Sequence, residues 1–188
     1  MGRWEPDARG RLAAAALQLY AERGIEQTTV ADIADRAGVT ERTFFRYYAD
    51  KREVLFDGSN ALQTLMVDAI AAQPPTTGPV DAVGAGMVAA ASALEGRLEF
   101  ARTRAAVVAA NPSLQERELL KMARLGAAAA QALRERGVAD LAAQLAAEAG
   151  VTVFRIGFET WIGEASSGDL AACIREALAG LKELTAQR

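Results

Sequence analysis

The stretch TTVADIADRAGVTERTFFRYYADKREVLF, residues 28–56, decides the fold. Thr29 stands where a helix N-cap is needed, and Asp32 follows three residues later, where a carboxylate suits a helix start. Val30, Ile33, Ala34 and Ala37 recur at i, i+3, i+4 and i+7, so one face of this first segment is apolar. Gly38 comes just past its end, where a left-handed C-cap favours glycine. Thr40 can cap a second helix over residues 41–48, and Val39 with Phe44 has the spacing of a hydrophobic staple. Asp50 and Glu53 give a third start signal of capping-box type. The pattern predicts two short helices joined by a glycine turn with a further helix leaving at once, a geometry that lays the second helix in a DNA major groove while the first braces it.

Charge supports that placement. The chain is acidic, with a formal net charge of −3. Between residues 36 and 52, however, Arg36, Arg42, Arg46, Lys51 and Arg52 face only Glu41 and Asp50. Cationic contacts to phosphate provide affinity, and side chains on base edges provide specificity. Against it, residues 1–56 carry nine basic and nine acidic side chains and are neutral as a whole.

The same stretch resembles the DNA-binding signature of the TetR family of bacterial repressors. The resemblance rests on Thr28, Thr29, Ile33, Ala34, Ala37, Gly38, Val39, Thr40, Thr43, Phe44, Phe45, Tyr47, Tyr48, Lys51 and Leu55. It extends upstream through an amphipathic first helix, residues 8–23, ending at Gly24, and covers about the first third of the chain. It implies an all-α fold: an N-terminal three-helix helix-turn-helix domain over residues 1–56, then a helical bundle over 57–188 for ligand binding and dimerisation. Ile33, Ala34, Val39 and Phe44 are core, and Gly38 is a backbone requirement. The expected DNA-contacting set is Thr29, Thr40, Glu41, Arg42, Thr43, Phe45, Arg46, Tyr47 and Lys51. Each also has a plainer role: Thr29 and Thr40 as caps, Arg42 and Thr43 as solvated surface, Tyr47 as packing, Lys51 as a charge at a helix start.

Composition removes other chemistries. Histidine is absent, so no Ser-His-Asp or Cys-His arrangement and no imidazole acid/base is available. With one cysteine, Cys173, and no histidine, a structural zinc site is implausible, and no metal or cofactor is expected. Neither a phosphate-cradling glycine loop nor a GxGxxG after a strand occurs. No apolar run of 18 residues suggests a membrane span, and no signal peptide is evident, so a cytoplasmic protein is expected. Cys173 reads as a buried small hydrophobe on a helix, with a redox role unsupported.

The remaining chain predicts further helices. A fourth starts at Asp50 and runs to about residue 72, followed by the loop QPPTTGP at 73–79. Helices over 80–94 and 97–110 come next, the latter stopped by Asn111-Pro112. Ser113, with Glu116 at the capping-box spacing, predicts a helix ending at Gly137. Residues 140–164 and 169–186 form the last two, separated by the loop Ser166-Ser167-Gly168.

The resemblance implies that these last helices pair with their copies. Phe154, Phe158, Trp161 and Ile162 with Leu170, Ile174, Leu178 and Leu181 are the expected dimer interface, the alternative being burial within one chain. Gly157 and Gly163 permit close helix approach. A homodimer suits a palindromic operator in double-stranded DNA. A small-molecule effector, hydrophobic or amphipathic and with a faint likeness to acyl-CoA-sensing members, is expected among Met66, Met87, Phe100, Arg104, Met122, Phe158 and Trp161. The protein so described is a bacterial repressor, not an enzyme. Two alternatives remain open: a helical-bundle interaction protein that does not bind DNA, and a small-molecule enzyme.

Overall fold

The computed structural model describes residues 7–163 and 169–186. Every regular element among them is helical: α1 Ala8–Arg23, α2 Val30–Arg36, α3 Glu41–Tyr47, α4 Ser59–Ala71, α5 Pro79–Ala91, α6 Leu98–Ala109, α7 Pro112–Glu135, α8 Asp140–Ile162 and α9 Leu170–Ala186, with short 3-10 turns at Glu53–Phe56 and Ser92–Leu94. The chain divides into two compact units. The first runs to Asp57 and includes Arg102–Glu118; the second comprises Gly58–Ala101 and Leu119 onward.

In the first unit, α1 packs on α2 and on the Glu53–Phe56 turn, and α2 packs on α3. Leu12, Ala16, Ile25, Ile33, Phe44 and Val54 are almost wholly buried, together with Leu114 from the start of α7. The local signals behave as the sequence predicts. The Asp32 amide donates to Thr29 Oγ1 and the Thr29 amide to Asp32 Oδ2, a reciprocal capping box. Gly38 takes a left-handed φ of 66°, which lets the Val39 amide reach back to the Ala34 carbonyl at 2.9 Å.

Four expectations change. The fourth helix is not continuous from Asp50. Asp50 and Glu53 only brace the turn before a short 3-10 segment, the Ala49 amide donating to Glu53 Oε2 and the Arg52 amide to Asp50 Oδ1, and Gly58 at φ 86° breaks the chain before α4. Ser113 does not cap α7. Pro112 occupies the first helical position, where its missing N–H costs nothing. The cap position falls to Asn111, whose carbonyl accepts from the Leu114 and Gln115 amides. The two units also depart from a single boundary at 56/57: Arg102–Glu118 groups with the N-terminal unit because its arginines bond to the 50–56 segment. Finally, α8 is long and apolar enough to cross a membrane by length and composition. Ala146, Gly150, Val153, Phe154, Gly157 and Trp161 along it are instead buried inside the second unit.

That second unit pairs α4 with α5, α5 with α8 and α9, and α8 with α9. Met66, Ile70, Val83, Met87, Leu133 and Ile174 form its buried centre. Gly157 permits close approach, but inside the protomer: a Cβ there would sit 2.9 Å from the Ile174 backbone. Arg136, just beyond α7, donates to the carbonyls of Ile70, Gln73 and Pro74, satisfying groups at the C-terminal end of α4. Cys173 is buried on α9, as expected. The predicted loop Ser166-Ser167-Gly168 and the end of the preceding helix at Glu164 lie outside the described residues.

Candidate nucleic-acid interface

α3 is seven residues long and is held by one fully buried side chain, Phe44. Thr40 caps it, with the Thr43 amide donating to Thr40 Oγ1 at 3.2 Å and the two hydroxyls 3.1 Å apart. With Phe44 turned inward, Glu41, Arg42, Phe45 and Arg46 are exposed, and Thr43 and Tyr47 are partly so. Phe45 is 55% exposed and meets Phe44 edge-on, with ring centroids 5.4 Å apart. An uncovered phenyl ring in this position can contact a thymine methyl, and an exposed arginine can fork onto guanine. The Arg46 guanidinium lies 4.8 Å from the Tyr47 ring centroid and donates to its hydroxyl at 3.0 Å. Thr29 and Thr40 are both exposed at helix N-termini, where backbone N–H groups favour anions.

The C-terminal end of α3 is fastened by tyrosines. Tyr48 is buried, and its hydroxyl donates to Asp57 Oδ2 at 2.7 Å, while Arg9 pairs with Asp57 Oδ1 at 2.9 Å. Burial, then the bond to Asp57 and its charge, push the Tyr48 phenol upward. Tyr20 donates to the Lys51 carbonyl at 2.6 Å; burial first, and the Asp50 charge second, raise its ionisation well above the ordinary tyrosine range. Arg9, which sequence patterning did not single out, lies 6.0 Å from the Tyr47 ring on α1. Only a folded contact could reveal it, because nothing at sequence separation 38 links the two.

The five local cations are not equivalent. Arg36 forks onto Glu22 with two bonds of 3.1 Å, lowering the Glu22 carboxyl and raising Arg36. Arg52 donates to Ser113 Oγ and approaches Glu26. Lys51 points its ammonium at the carbonyls of Ile25 and Thr28, at 2.8 and 2.9 Å, so two of its three donors act inside the fold. Arg42 and Arg46 are the pair on the exposed face of α3.

The expected effector residues are not all brought together. Met66, Met87 and Trp161 are buried in the second unit's core, with Met122 and Phe158 packed against it. Phe100 sits under the Arg97 guanidinium at 4.5 Å. Arg104 belongs to the first unit and donates to the Leu55 carbonyl and to Glu118. The described residues do form an open cleft of about 320 Å³ between α7 and α8, floored by Ala123, Ala127, Ala130 and Ala147. None of the expected residues lines it.

The expected dimer residues also divide. Phe154, Trp161, Leu170 and Ile174 are buried within the chain's own core, so they are not available to a partner. The pattern of apolar residues on α8 and α9 could not separate the two kinds of burial. Phe158, Ile162, Leu178 and Leu181 are partly exposed, and Ile156 and Leu184 are exposed.

Known proteins carry the same elements. Residues 12–57 match the family model described as bacterial regulatory proteins, tetR family, and residues 77–186 match the MftR C-terminal domain. The HTH-type transcriptional regulator TcmR of Streptomyces glaucescens is 36% identical over 75 residues, 40% of this chain and 33% of that protein. The chain matches about a third or less of the length of its curated relatives. The TetR-family repressor FadR of Thermus thermophilus, solved in complex with lauroyl-CoA, is 28% identical with a TM-score of 0.54, over 96% of each chain. FadR of Bacillus subtilis, solved with stearoyl-CoA, is 20% identical with a TM-score of 0.61 over 92% of this chain and 96% of that one, a likeness of fold. This chain belongs to the TetR family of bacterial transcriptional regulators.

Proposed function

We propose that the protein is a ligand-responsive repressor that binds a palindromic operator as a homodimer in the cytoplasm. The observation that carries this reading is α3 itself: Phe44 anchors it, while Arg42, Thr43, Phe45 and Arg46 are left to reach base edges and phosphate. Glu41 at its first turn selects against misplaced acceptors and accepts from cytosine. Thr29, Thr40 and Tyr47 supply backbone contacts at the margins. Lys51 contributes mainly by holding the segment before α2 in place.

A two-fold operator requires two reading heads, and a second copy of this chain provides the other. The partly exposed Phe158, Ile162, Leu178 and Leu181, with Ile156 and Leu184, form the apolar surface on α8 and α9 that a second copy would cover. For the effector, the FadR structures holding lauroyl-CoA and stearoyl-CoA support an acyl-CoA-like amphipathic molecule. Met122, Phe158 and their buried neighbours Met66, Met87 and Trp161 supply the apolar side of such a site.

Selection from a random-sequence duplex library, followed by salt titration on the enriched duplex, tests the DNA reading. A two-fold consensus and an affinity falling steeply with salt are expected. Failure to enrich any sequence removes the proposal. Acyl-CoAs of graded chain length, added to the preformed complex, test the effector; release by none of them excludes that class.

A further inference from the structure

We propose that Arg117, at the start of α7, is a positioning residue for DNA reading, acting on α3 through Asp50. The inference rests on the reading that α3 contacts DNA.

Its basis is a continuous set of contacts inside the first unit. Arg117 Nη2 donates to Asp50 Oδ2 at 2.5 Å. The other Asp50 oxygen accepts the amides of Arg52 and Glu53, at 2.7 and 3.1 Å, and so shapes the turn that follows α3. Within that turn Lys51 accepts the Tyr20 hydroxyl on its carbonyl and sends its ammonium to the Ile25 and Thr28 carbonyls. Thr28 adjoins Thr29, the cap of α2. The turn that Asp50 shapes therefore ties the exit of α3 to the entry of α2 through Lys51, and Arg117 holds the Asp50 carboxylate from a point 67 residues away.

Two neighbouring contacts run between the same segments. Arg52 Nε donates to Ser113 Oγ at 3.3 Å. Arg104 donates to the Leu55 carbonyl at 2.8 Å and to Glu118 at 2.5 Å, with its guanidinium 5.0 Å from the Phe56 ring centroid. The Arg104 side chain is only 12% exposed. Residues 102–118 are thus built into the reading head. The geometry of a seven-residue helix held by one core phenylalanine depends on what fixes its exit, because a tilt about Phe44 moves every outward side chain.

The test uses the full chain, a duplex enriched by the wild-type protein from a random library, and an unrelated duplex of equal length. Arg117→Ala is expected to lower affinity for the enriched duplex about three- to fivefold, the scale of a partly exposed ion pair. Affinity for the unrelated duplex changes much less, and the slope of log affinity against log salt stays as in wild type. Arg117→Lys, which keeps a donor, restores most of the loss. Asp50→Asn keeps the acceptor for the Arg52 and Glu53 amides; it is expected to match Arg117→Ala, and the double variant to be no weaker than either single. Active-site titration keeps a folding defect, seen as fewer active molecules, apart from a weaker dissociation constant. Wild-type affinity in Arg117→Ala and Asp50→Asn overturns the proposal. A salt slope reduced by about one in Arg117→Ala also overturns it, since that marks direct phosphate contact. Additive losses in the double variant do the same. If the wild-type chain enriches no duplex, the DNA reading fails and takes this inference with it, an outcome the Arg117 variants cannot produce.

Discussion

Replacing Lys51 by methionine keeps the aliphatic stem and removes the ammonium that donates to Ile25 O and Thr28 O, at 2.8 and 2.9 Å. Hydrogen bonds to a charged group contribute roughly 1.5–3 kcal/mol each in stability. Here one half-buried ammonium serves both carbonyls, so the two do not add in full, and solvent can reach part of the site. A loss of about 2–3 kcal/mol follows. For a chain of this length each kcal/mol lowers the melting temperature by about 2–4 °C, so Lys51→Met should melt roughly 5–10 °C below wild type. Arg42→Ala, at an exposed position, should stay within about 0.5 kcal/mol of wild type. Both are read by thermal and urea unfolding, with duplex affinity measured over a salt series well below the melting range. For Lys51→Met the salt slope should be nearly unchanged, since its charge works inside the fold; for Arg42→Ala it should fall by about one. Wild-type stability in Lys51→Met together with a shallower salt slope would mean that Lys51 serves phosphate and not the Ile25–Thr28 carbonyls, and the reasoning would be refuted.

Three further outcomes are expected. Phe44→Ala should cost about 3–5 kcal/mol of stability, because its ring is fully buried, whereas Phe45→Ala should leave unfolding unchanged and weaken binding to the enriched duplex; equal melting losses for the two would contradict the orientation of α3. Gly157→Ala forces a Cβ to within 2.9 Å of the Ile174 backbone and should destabilise by about 1–2 kcal/mol, overpacking outweighing helix propensity. Gly180→Ala, on the same helix pair with nothing within 4 Å, should stabilise by about 0.5–1 kcal/mol, and the opposite order of melting temperatures would disprove the α8–α9 contact. Asp32 is held down at about 2 from 3.8, first by the Thr29 hydroxyl, next by the Thr29 amide, then by Arg23. A depressed carboxyl stabilises the folded chain above its unfolded value, and that contribution disappears as pH falls from 3.8 through about 2. Thr29→Ala should move the Asp32 midpoint up toward 3.8 in an NMR titration, and an unmoved midpoint would show that the cap is not its cause.

Local chemistry was the legible part of the sequence. Thr29 with Asp32, Gly38, Thr40 and Phe44 each announced a role that involves only residues within one or two turns, and each takes that role. The same signals mislead where two of them compete. Asp50 and Glu53 do bond to neighbouring backbone amides, yet Gly58 overrides any helix continuing past Asp57, whose carboxylate is already engaged by Tyr48 and Arg9. Ser113 has good cap chemistry, but Pro112 before it fixes the helix start two residues earlier, with Asn111 at the cap. Long-range features left no local trace. Arg9 against Tyr47, Arg117 against Asp50 and Arg104 against Leu55 join segments far apart in sequence, and no periodicity marks any of them. On α8 and α9, the apolar pattern identified residues that leave water without distinguishing the chain's own core from a partner.

Charge counting shows why a neutral head is not evidence against DNA. Residues 1–56 hold equal numbers of acidic and basic groups, which favoured the alternative of a scaffold that binds no nucleic acid. Within the fold three of the carboxylates are held in close ion pairs: Glu22 with Arg36, Asp32 with Arg23, Asp50 with Arg117. The last pairing matters most for the arithmetic. Its cation comes from outside the first 57 residues, so Asp50 is neutralised without drawing on Arg42 or Arg46. Asp57 takes its cation, Arg9, from α1 and not from α3. What α3 presents is therefore set by which acids have been matched elsewhere. The sum over the segment is zero, yet the exposed side of α3 carries two guanidiniums against the single carboxylate Glu41 at its first turn, where the helix dipole favours an acid. A phosphate backbone responds to that local excess over distances of a Debye length, about 8 Å at physiological salt. Reversing Arg117 to glutamate would leave two acids facing each other at the exit of α3, whereas adding two acids on the far side of α1 would change the total equally and the local field little. Unequal effects of these two changes on duplex affinity are the consequence of pairing, and equal effects would restore net charge as the controlling quantity.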